Sequence, residues 1–218
     1  MDAVLDALGR IEAWLAAHAP RVAAALRPPL PRATVEALTA GLPCRLPEEV
    51  YALYGWHDGT EEVAGSFIWY HDFLPLEVAL DAYRQLLASD AEVQRMLAAD
   101  EWYQRRVAAG EEAPEHPFWD PAWFPLFAFQ GEYYLVDCGG PPGQPAPVRY
   151  FFGHYTEHPV VCADLAALLQ TAAAWYERGA VWVDDPETGA LDDDLPRVRN
   201  IHQELNPGLP FPYRVPEG

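Results

Sequence analysis

The segment from Leu46 to Thr60 constrains the fold of this chain most strongly, because the start, burial and stop signals of one short helix agree within it. Pro47 suits the first position of a helix, and the two glutamates after it place negative charge at the helix N-terminus. The residues that share one face at positions i, i+3 and i+4 are Val50, Leu53 and Tyr54. The turn dipeptide Asp58-Gly59 then predicts the end of the helix. We therefore expect a short helix with one buried face.

The rest of the chain alternates predicted helices with aromatic strands. Apolar residues at helical spacing predict helices at 4–18, 34–39, 76–88, 91–109, 164–178 and 195–205. Aromatic and β-branched runs predict strands at 66–71, 123–129, 133–137, 148–152 and 160–162. A turn at Gly131 joins the second and third of these strands into a β-hairpin. The predicted fold class is α+β: a single domain with a mainly antiparallel, aromatic-rich β-sheet flanked by helices, an N-terminal amphipathic helix, and an acidic, Pro-rich C-terminal extension.

Three motifs in this sequence resemble those of a known family. The first is Leu46-Pro47, followed by a hydrophobic residue, a tyrosine and then Asp58-Gly59, where the family usually has Asn-Gly. The second motif comprises Trp123, Pro125, Gly131, Tyr134 and Asp137. In the third, Asp164 takes the place of the serine that typically begins the last core helix. In these motifs the chain resembles the SUKH superfamily, which contains Smi/Knr-like fungal cell-wall regulators and bacterial toxin-immunity proteins.

The resemblance implies a domain organisation and a function. It covers residues 31–183, which leaves an N-terminal helical extension at 1–30 and an acidic, Pro-rich extension at 184–218 that we expect to pack on the same domain. The implied function is that of a non-enzymatic protein-binding module, with an immunity protein that neutralises a cognate toxin as the leading interpretation. A regulatory or scaffold protein, related to the cell-wall and signalling regulators, is the alternative.

Charge restricts the partners that this chain can bind. The net charge is −19, and all 14 basic residues are arginine, so chemistry that needs a lysine, such as a P-loop or a Schiff base, is excluded. An acidic chain is also a poor ligand for nucleic acid, whose phosphates require a basic surface. We expect a basic protein partner, for example the phosphate-binding cleft of a nuclease toxin. The candidate contacts are the acidic residues Asp58, Glu61, Glu62, Asp72, Glu132, Asp184, Asp185, Asp192, Asp193 and Asp194.

The sequence also indicates where the protein resides. Asp2 and Asp6 stand where a signal peptide would carry positive charge, and no run approaches the roughly 18 apolar residues of a membrane span. We expect a cytoplasmic protein with no membrane contact. The widely spaced Cys44, Cys138 and Cys162 are expected to be reduced, buried thiols. The predicted N-terminal helix could pack within a monomer or across a homodimer, and the sequence leaves both open.

No residue pattern nominates a catalytic or cofactor site. His154, His158 and Cys162 recur every four residues, but Pro159 and the two valines after it disfavour the helix that would make them zinc ligands. The segment from Asp185 to Gly189 lacks the ligand order of a calcium loop. We therefore predict no enzyme and no cofactor, and keep a hydrolase or metal enzyme as a second alternative.

Overall fold

The computed structural model describes residues 2–61, 66–112, 117–141, 144–153, 157–185 and 188–212, and it confirms the predicted α+β class. The helices are α1 (Asp2–His18), α2 (Pro20–Ala24), α3 (Arg32–Thr39), α4 (Glu48–Trp56), α5 (Leu76–Ala99), α6 (Glu101–Ala108), α7 (Leu165–Glu177) and α8 (Leu195–Leu205). The strands are β1 (Asp72–Phe73), β2 (Trp123–Phe129), β3 (Glu132–Asp137), β4 (Val148–Phe152), β5 (Val160–Cys162), β6 (Val181–Asp185) and β7 (Ala190–Asp193).

The main sheet has five antiparallel strands in the order β1-β2-β3-β4-β5. The predicted hairpin is confirmed, with Phe129 paired to Glu132 across the turn. Gln130 (φ 47°) and Gly131 (φ 88°) both adopt positive φ, as the turns preferred in two-residue hairpin loops require. The register of β2 shifts between Pro125 and Phe127, where proline cannot donate a ladder hydrogen bond.

The predicted strand at 66–71 is wrong. Ile68 and His71 instead close a tight turn through reciprocal backbone hydrogen bonds, and Trp69 lies in it at φ 55°. In the described segment from 66 to 73, the residues that pair with β2 are Asp72 and Phe73. Phe67 and Ile68 are fully buried, so the β-propensity of this run reflects its place in the core rather than pairing in a sheet.

The long helical segment after Pro75 divides at a different point from the prediction. Leu76–Ala99 forms one continuous helix, and the break falls at Asp100. The Asp100 carboxylate accepts the N–H groups of Trp102 and Tyr103 at 2.9 and 3.1 Å and so caps the N-terminus of α6. Met96 in the C-terminal part of α5 and Trp102 in α6 are 64% and 58% exposed. We call these two helical segments the α5–α6 arm.

The N-terminal helix belongs to the hydrophobic core. Helix α1 packs against α7 and α4, and its Leu8, Ile11 and Leu15 side chains are fully buried. Trp14 stacks on Tyr176 of α7 with ring centroids 4.3 Å apart. The predicted boundary at residue 30 remains a prediction, but the packing of α1 is continuous with that of the domain.

The C-terminal region packs on the same core. Helix α8 is where it was predicted, and its Val198 carbonyl accepts the indole N–H of Trp175 at 2.9 Å. Asn206, just after α8, donates its side-chain N–H to the Thr171 hydroxyl at 2.9 Å. The sequence did not predict β6 and β7, which pair as an antiparallel hairpin.

Candidate protein-binding face

The β6–β7 hairpin turns one face toward the core and the other toward solvent. Val181 and Leu191 are buried, whereas Trp182 and Asp192, which pair directly across the two strands, are exposed. Asp184 lies two residues beyond Trp182 and is exposed as well. Trp182 and Asp192 therefore share one face of the hairpin. Asp184 lies within the register shift between Val183 and Asp185 and has no paired residue on β7. We call the three exposed side chains Trp182, Asp184 and Asp192 the hairpin face.

The hairpin face combines an aromatic ring with negative charge. Trp182 is 40% exposed, which is unusual for a side chain that buries a large apolar area. Within the described part of the chain, neither Asp184 nor Asp192 has a cationic partner. An open tryptophan beside unpaired carboxylates suits a guanidinium or ammonium group, because cations are attracted both to the ring face and to the carboxylates.

Asp193 fixes this hairpin to the domain. Its Oδ2 atom accepts the indole N–H of Trp69 at 2.9 Å and also the hydroxyl of Tyr70. Burial and the hydrogen bond to Asp193 raise the pKa of Tyr70 well above its usual value, so Tyr70 remains a donor at all physiological pH values. Asp193, a predicted partner contact, therefore has an internal task here: it holds the hairpin against the 69–70 turn.

Asp58, another predicted contact, is buried. Its Oδ1 atom accepts the backbone N–H of Leu76 at 2.8 Å, and Arg27 lies 3.4 Å from its Oδ2 atom. The neighbouring Gly59 has φ 77°, and a Cβ atom added there would lie 2.3 Å from the Pro75 nitrogen. The turn after α4 is thus built around the start of α5.

Three of the remaining predicted contacts accept hydrogen bonds from other residues of the chain. Glu132 accepts the Tyr150 hydroxyl, Asp185 accepts the Thr188 hydroxyl at 2.8 Å, and Asp194 caps α8 by accepting the Arg197 N–H at 3.2 Å. Glu61 and Asp72 are exposed residues, and Glu62 lies outside the described residues. Although Asp72 is exposed at the sheet edge, desolvation of its carboxyl raises its pKa to about 6. Asp184 and Asp192 are both exposed on the hairpin, and the Asp192 Oδ1 atom accepts the Asp193 N–H at 2.9 Å.

His71, which closes the turn at Trp69 and Tyr70, is fully buried. The His71 ring centroid is 4.7 Å from that of Tyr134, and the rings of Tyr150 and Phe129 are 5.7 and 5.9 Å away. Neither ring nitrogen has a hydrogen-bond partner among the described residues, and burial lowers the pKa of His71 to about 3. A neutral histidine enclosed by rings is part of the core and supplies no general base.

A groove lies elsewhere, between the segment that precedes α4 and the end of β3. Its volume is about 630 Å³, and its lining includes Pro43, Cys44, Leu46, Cys138 and Ala146. Three acidic residues line it, Glu48, Glu49 and Asp137. Glu48 is paired with Arg32 at 2.6 Å and Asp137 with Arg149 at 2.7 Å, whereas Glu49 is partly buried and burial raises the pKa of its carboxyl.

Two of the three residues considered as zinc ligands, His158 and Cys162, lie in the described part of the chain. His158 packs against Phe151 with ring centroids 4.4 Å apart, and Cys162 is fully buried in β5, where burial raises the pKa of its thiol. His154 lies outside the described residues. In the described ranges, no group of three or more His, Cys, Asp or Glu side chains could hold a metal ion.

The fold and the hairpin face together define an α+β domain that presents an acidic, aromatic surface on a sheet packed against helices. The sequence profile of the SMI1 / KNR4 family (SUKH-1) matches residues 29–171, about two thirds of the chain, so the protein belongs to this family. No curated protein matches the chain significantly. The SUKH family is generally non-enzymatic, and membership fits a protein-binding role. None of the helices in the described ranges is long and apolar enough to cross a membrane.

Sequence reasoning found the carboxylates of the hairpin face but missed its tryptophan. The signal was available, because Trp182 and Asp184 alternate with Val181 and Val183 as strand residues do. Gly189 is also a turn signal in the sequence. In the structure it adopts φ 74°, and its N–H donates to the Asp185 carbonyl at 2.8 Å. The acidic residues, which are depleted in strands, concealed the pattern.

Proposed function

We propose that this protein is an immunity protein of the SUKH type, which binds a cognate toxin domain through the hairpin face and blocks it sterically without catalysing a reaction. The observation that carries the proposal is the exposed Trp182 with the exposed Asp184 and Asp192, neither of which forms an ion pair within the described ranges. Tryptophan is enriched among the residues that dominate binding energy, and carboxylates beside it select a cationic partner. A basic cleft that binds phosphate, as in a nuclease toxin, has this chemistry. We place the complex in the cytoplasm, with no nucleic acid or membrane bound by this chain.

The charge of the whole chain supports the same partner. At −19, the chain attracts a basic domain over a long range and accelerates its association. The attachment of Asp193 to Trp69 and Tyr70 holds the hairpin in place before binding, which lowers the entropy lost on association. Glu61 and Asp72 are further exposed acidic contacts in this proposal.

The decisive experiment is a growth-rescue assay with toxin domains encoded by genes that neighbour this one, followed by titration calorimetry on the purified pair. We expect wild type to restore growth, Trp182→Ala to weaken binding by roughly 10- to 100-fold, and Asp184→Asn/Asp192→Asn to weaken it about 5- to 50-fold with a reduced salt dependence. The matched control is Glu101→Gln/Glu111→Gln, which removes the same charge from exposed positions on and after α6. Absence of a complex, or equal losses in both double variants, would contradict the proposal.

The regulatory alternative has one observation in its favour. A scaffold must contact two partners, and the α5–α6 arm provides a second exposed apolar surface in Met96 and Trp102. In that case Met96→Ala/Trp102→Ala would abolish a pull-down interaction that Trp182→Ala leaves intact. An immunity protein that acts through the hairpin face alone would show the reverse.

A further inference from the structure

Two of the three cysteines, Cys44 and Cys138, line the same groove although they are far apart in sequence. Cys44 lies in the segment between α3 and α4, and Cys138 directly follows β3. Both were expected to be buried, but each is only partly buried, whereas Cys162 is fully buried. Both also line the same groove of about 630 Å³ and so are open to small solutes.

One backbone carbonyl positions both residues. The Ala122 carbonyl accepts the Cys138 N–H at 2.9 Å and the Cys44 thiol at 3.8 Å. The Cys138 thiol donates to the Val136 carbonyl at 3.9 Å. Both cysteines therefore lie at the Ala122 carbonyl in the lining of one groove, and neither forms a disulfide.

We propose that Cys44 and Cys138 form a reversible dithiol–disulfide site that is oxidised by hydrogen peroxide. Two observations support the proposal: the Ala122 carbonyl holds both residues, and both line the same groove, from which a small oxidant can reach them. The site is separate from the hairpin face, so it does not depend on the proposed immunity function.

The proposed site includes an order of events, which the two single variants below test. When Cys44 ionises, the Cys138 thiol donates a hydrogen bond to it, which lowers the pKa of Cys44 and raises the pKa of Cys138. Cys44 is therefore the attacking thiolate and Cys138 the resolving thiol. Cys162 takes no part, because burial raises the pKa of its thiol and keeps it protonated.

The reaction proceeds in two balanced steps. The Cys44 thiolate attacks one peroxide oxygen, the O–O bond breaks, and the products are a sulfenic acid and, after protonation of the leaving hydroxide, one water. The Cys138 sulfur then attacks the Cys44 sulfur, the S–O bond breaks, and the departing hydroxide takes the Cys138 proton to form a second water. The two sulfurs together lose two electrons, which reduce the peroxide. A cellular thiol reverses the reaction by disulfide exchange.

The test is to treat the full-length protein with a small excess of hydrogen peroxide and map its peptides without reduction. We expect an intact mass lower by two hydrogens, a Cys44–Cys138 linked peptide, loss of two of three titratable thiols, and full recovery with dithiothreitol. Cys162→Ser, the matched control, should behave in the same way. Cys138→Ser should accumulate a dimedone-reactive sulfenic acid at Cys44, and Cys44→Ser should react at least tenfold more slowly with peroxide.

The wild-type peptide map decides the outcome even where a variant is unstable. A wild-type protein that retains all three thiols, or forms a disulfide through Cys162, would overturn the proposal. Irreversible oxidation of Cys44 in wild type, at the rate found in Cys138→Ser, would overturn it too, since Cys138 would then not resolve the sulfenic acid.

Discussion

Asp58 caps a helix that begins 18 residues later, because its Oδ1 atom accepts the Leu76 N–H at 2.8 Å. Helix α5 has Pro75 at its N-cap, and proline has no side-chain acceptor to satisfy the free N–H groups of the first turn. Asp58 supplies that acceptor from the end of α4. The segment from Leu46 to Thr60 therefore joins two helices, and the buried Asp58 carboxylate has a structural role.

Replacing Asp58 tests this capping role. We expect Asp58→Ala to lower the free energy of unfolding by about 1–3 kcal/mol, since a cap is lost and a buried N–H is left without a partner. Asp58→Asn should lose less than about 1 kcal/mol, because asparagine is an equally good cap. Urea denaturation measures both, with the exposed neighbour Glu61→Ala as control. Equal losses in the two Asp58 variants would instead assign the effect to the 3.4 Å ion pair with Arg27.

Gly59 allows the same turn to pass close to Pro75. Gly59 adopts φ 77°, which disfavours residues with a side chain. It also has no room for one, because an added Cβ would lie 2.3 Å from the Pro75 nitrogen. Gly131 also has positive φ, but nothing lies within 4 Å of its Cβ position. Gly131→Ala should therefore cost only about 1 kcal/mol of backbone strain, whereas Gly59→Ala should cost at least about 2 kcal/mol more because of the clash. Similar urea midpoints for the two variants would contradict this account.

The sequence predicts this fold best where the signals are local. The β2–β3 hairpin and the Asp164 cap of α7, which accepts the Ala167 N–H at 2.7 Å, depend on a few adjacent residues. The turn at Trp69 does not, because its backbone N–H donates to the Tyr176 hydroxyl, at 3.3 Å and more than 100 residues away. Local propensity favoured a strand there, and a tertiary contact decides the conformation.

The candidate site could be predicted only in part for the same reason. Charge identified Asp184 and Asp192, but it could not separate them from Asp58 and Asp193, whose partners Leu76 and Trp69 are known only from the fold. Whether a carboxylate is free or engaged is a property of tertiary structure. Composition alone therefore overstates the number of acidic contacts that are available to a partner.

Helix α1 should contribute to stability as a core element rather than as a removable extension. Ile11 is fully buried, whereas Leu5 on the same helix is 46% exposed. Ile11→Ala should lower the free energy of unfolding by about 2–5 kcal/mol, and Leu5→Ala by less than about 1 kcal/mol. Chemical denaturation of both variants checks this. A small loss for Ile11→Ala would show that α1 detaches without unfolding the domain.

His71 should make the stability of the protein depend on pH. Its pKa is about 3 in the folded protein, because the ring is buried among Tyr134, Tyr150 and Phe129, and about 6.5 in the unfolded chain. The unfolded state therefore binds the extra proton first, and stability falls as the pH drops from about 6.5 toward 3. Between pH 7 and pH 5 this group alone should remove about 2 kcal/mol.

The variant His71→Phe isolates this contribution. Phenylalanine fills a similar volume and cannot be protonated, so the loss of stability between pH 7 and pH 5 should be about 2 kcal/mol smaller than in wild type. Urea denaturation at both pH values gives the difference, and the comparison cancels the carboxylates and the other histidines that titrate in both proteins. His57→Phe is the matched control, because its ring is only partly buried and its Nδ1 lies 2.6 Å from the Arg27 carbonyl. An unchanged pH dependence in His71→Phe would mean that His71 accepts its proton in the folded state as readily as in the unfolded chain.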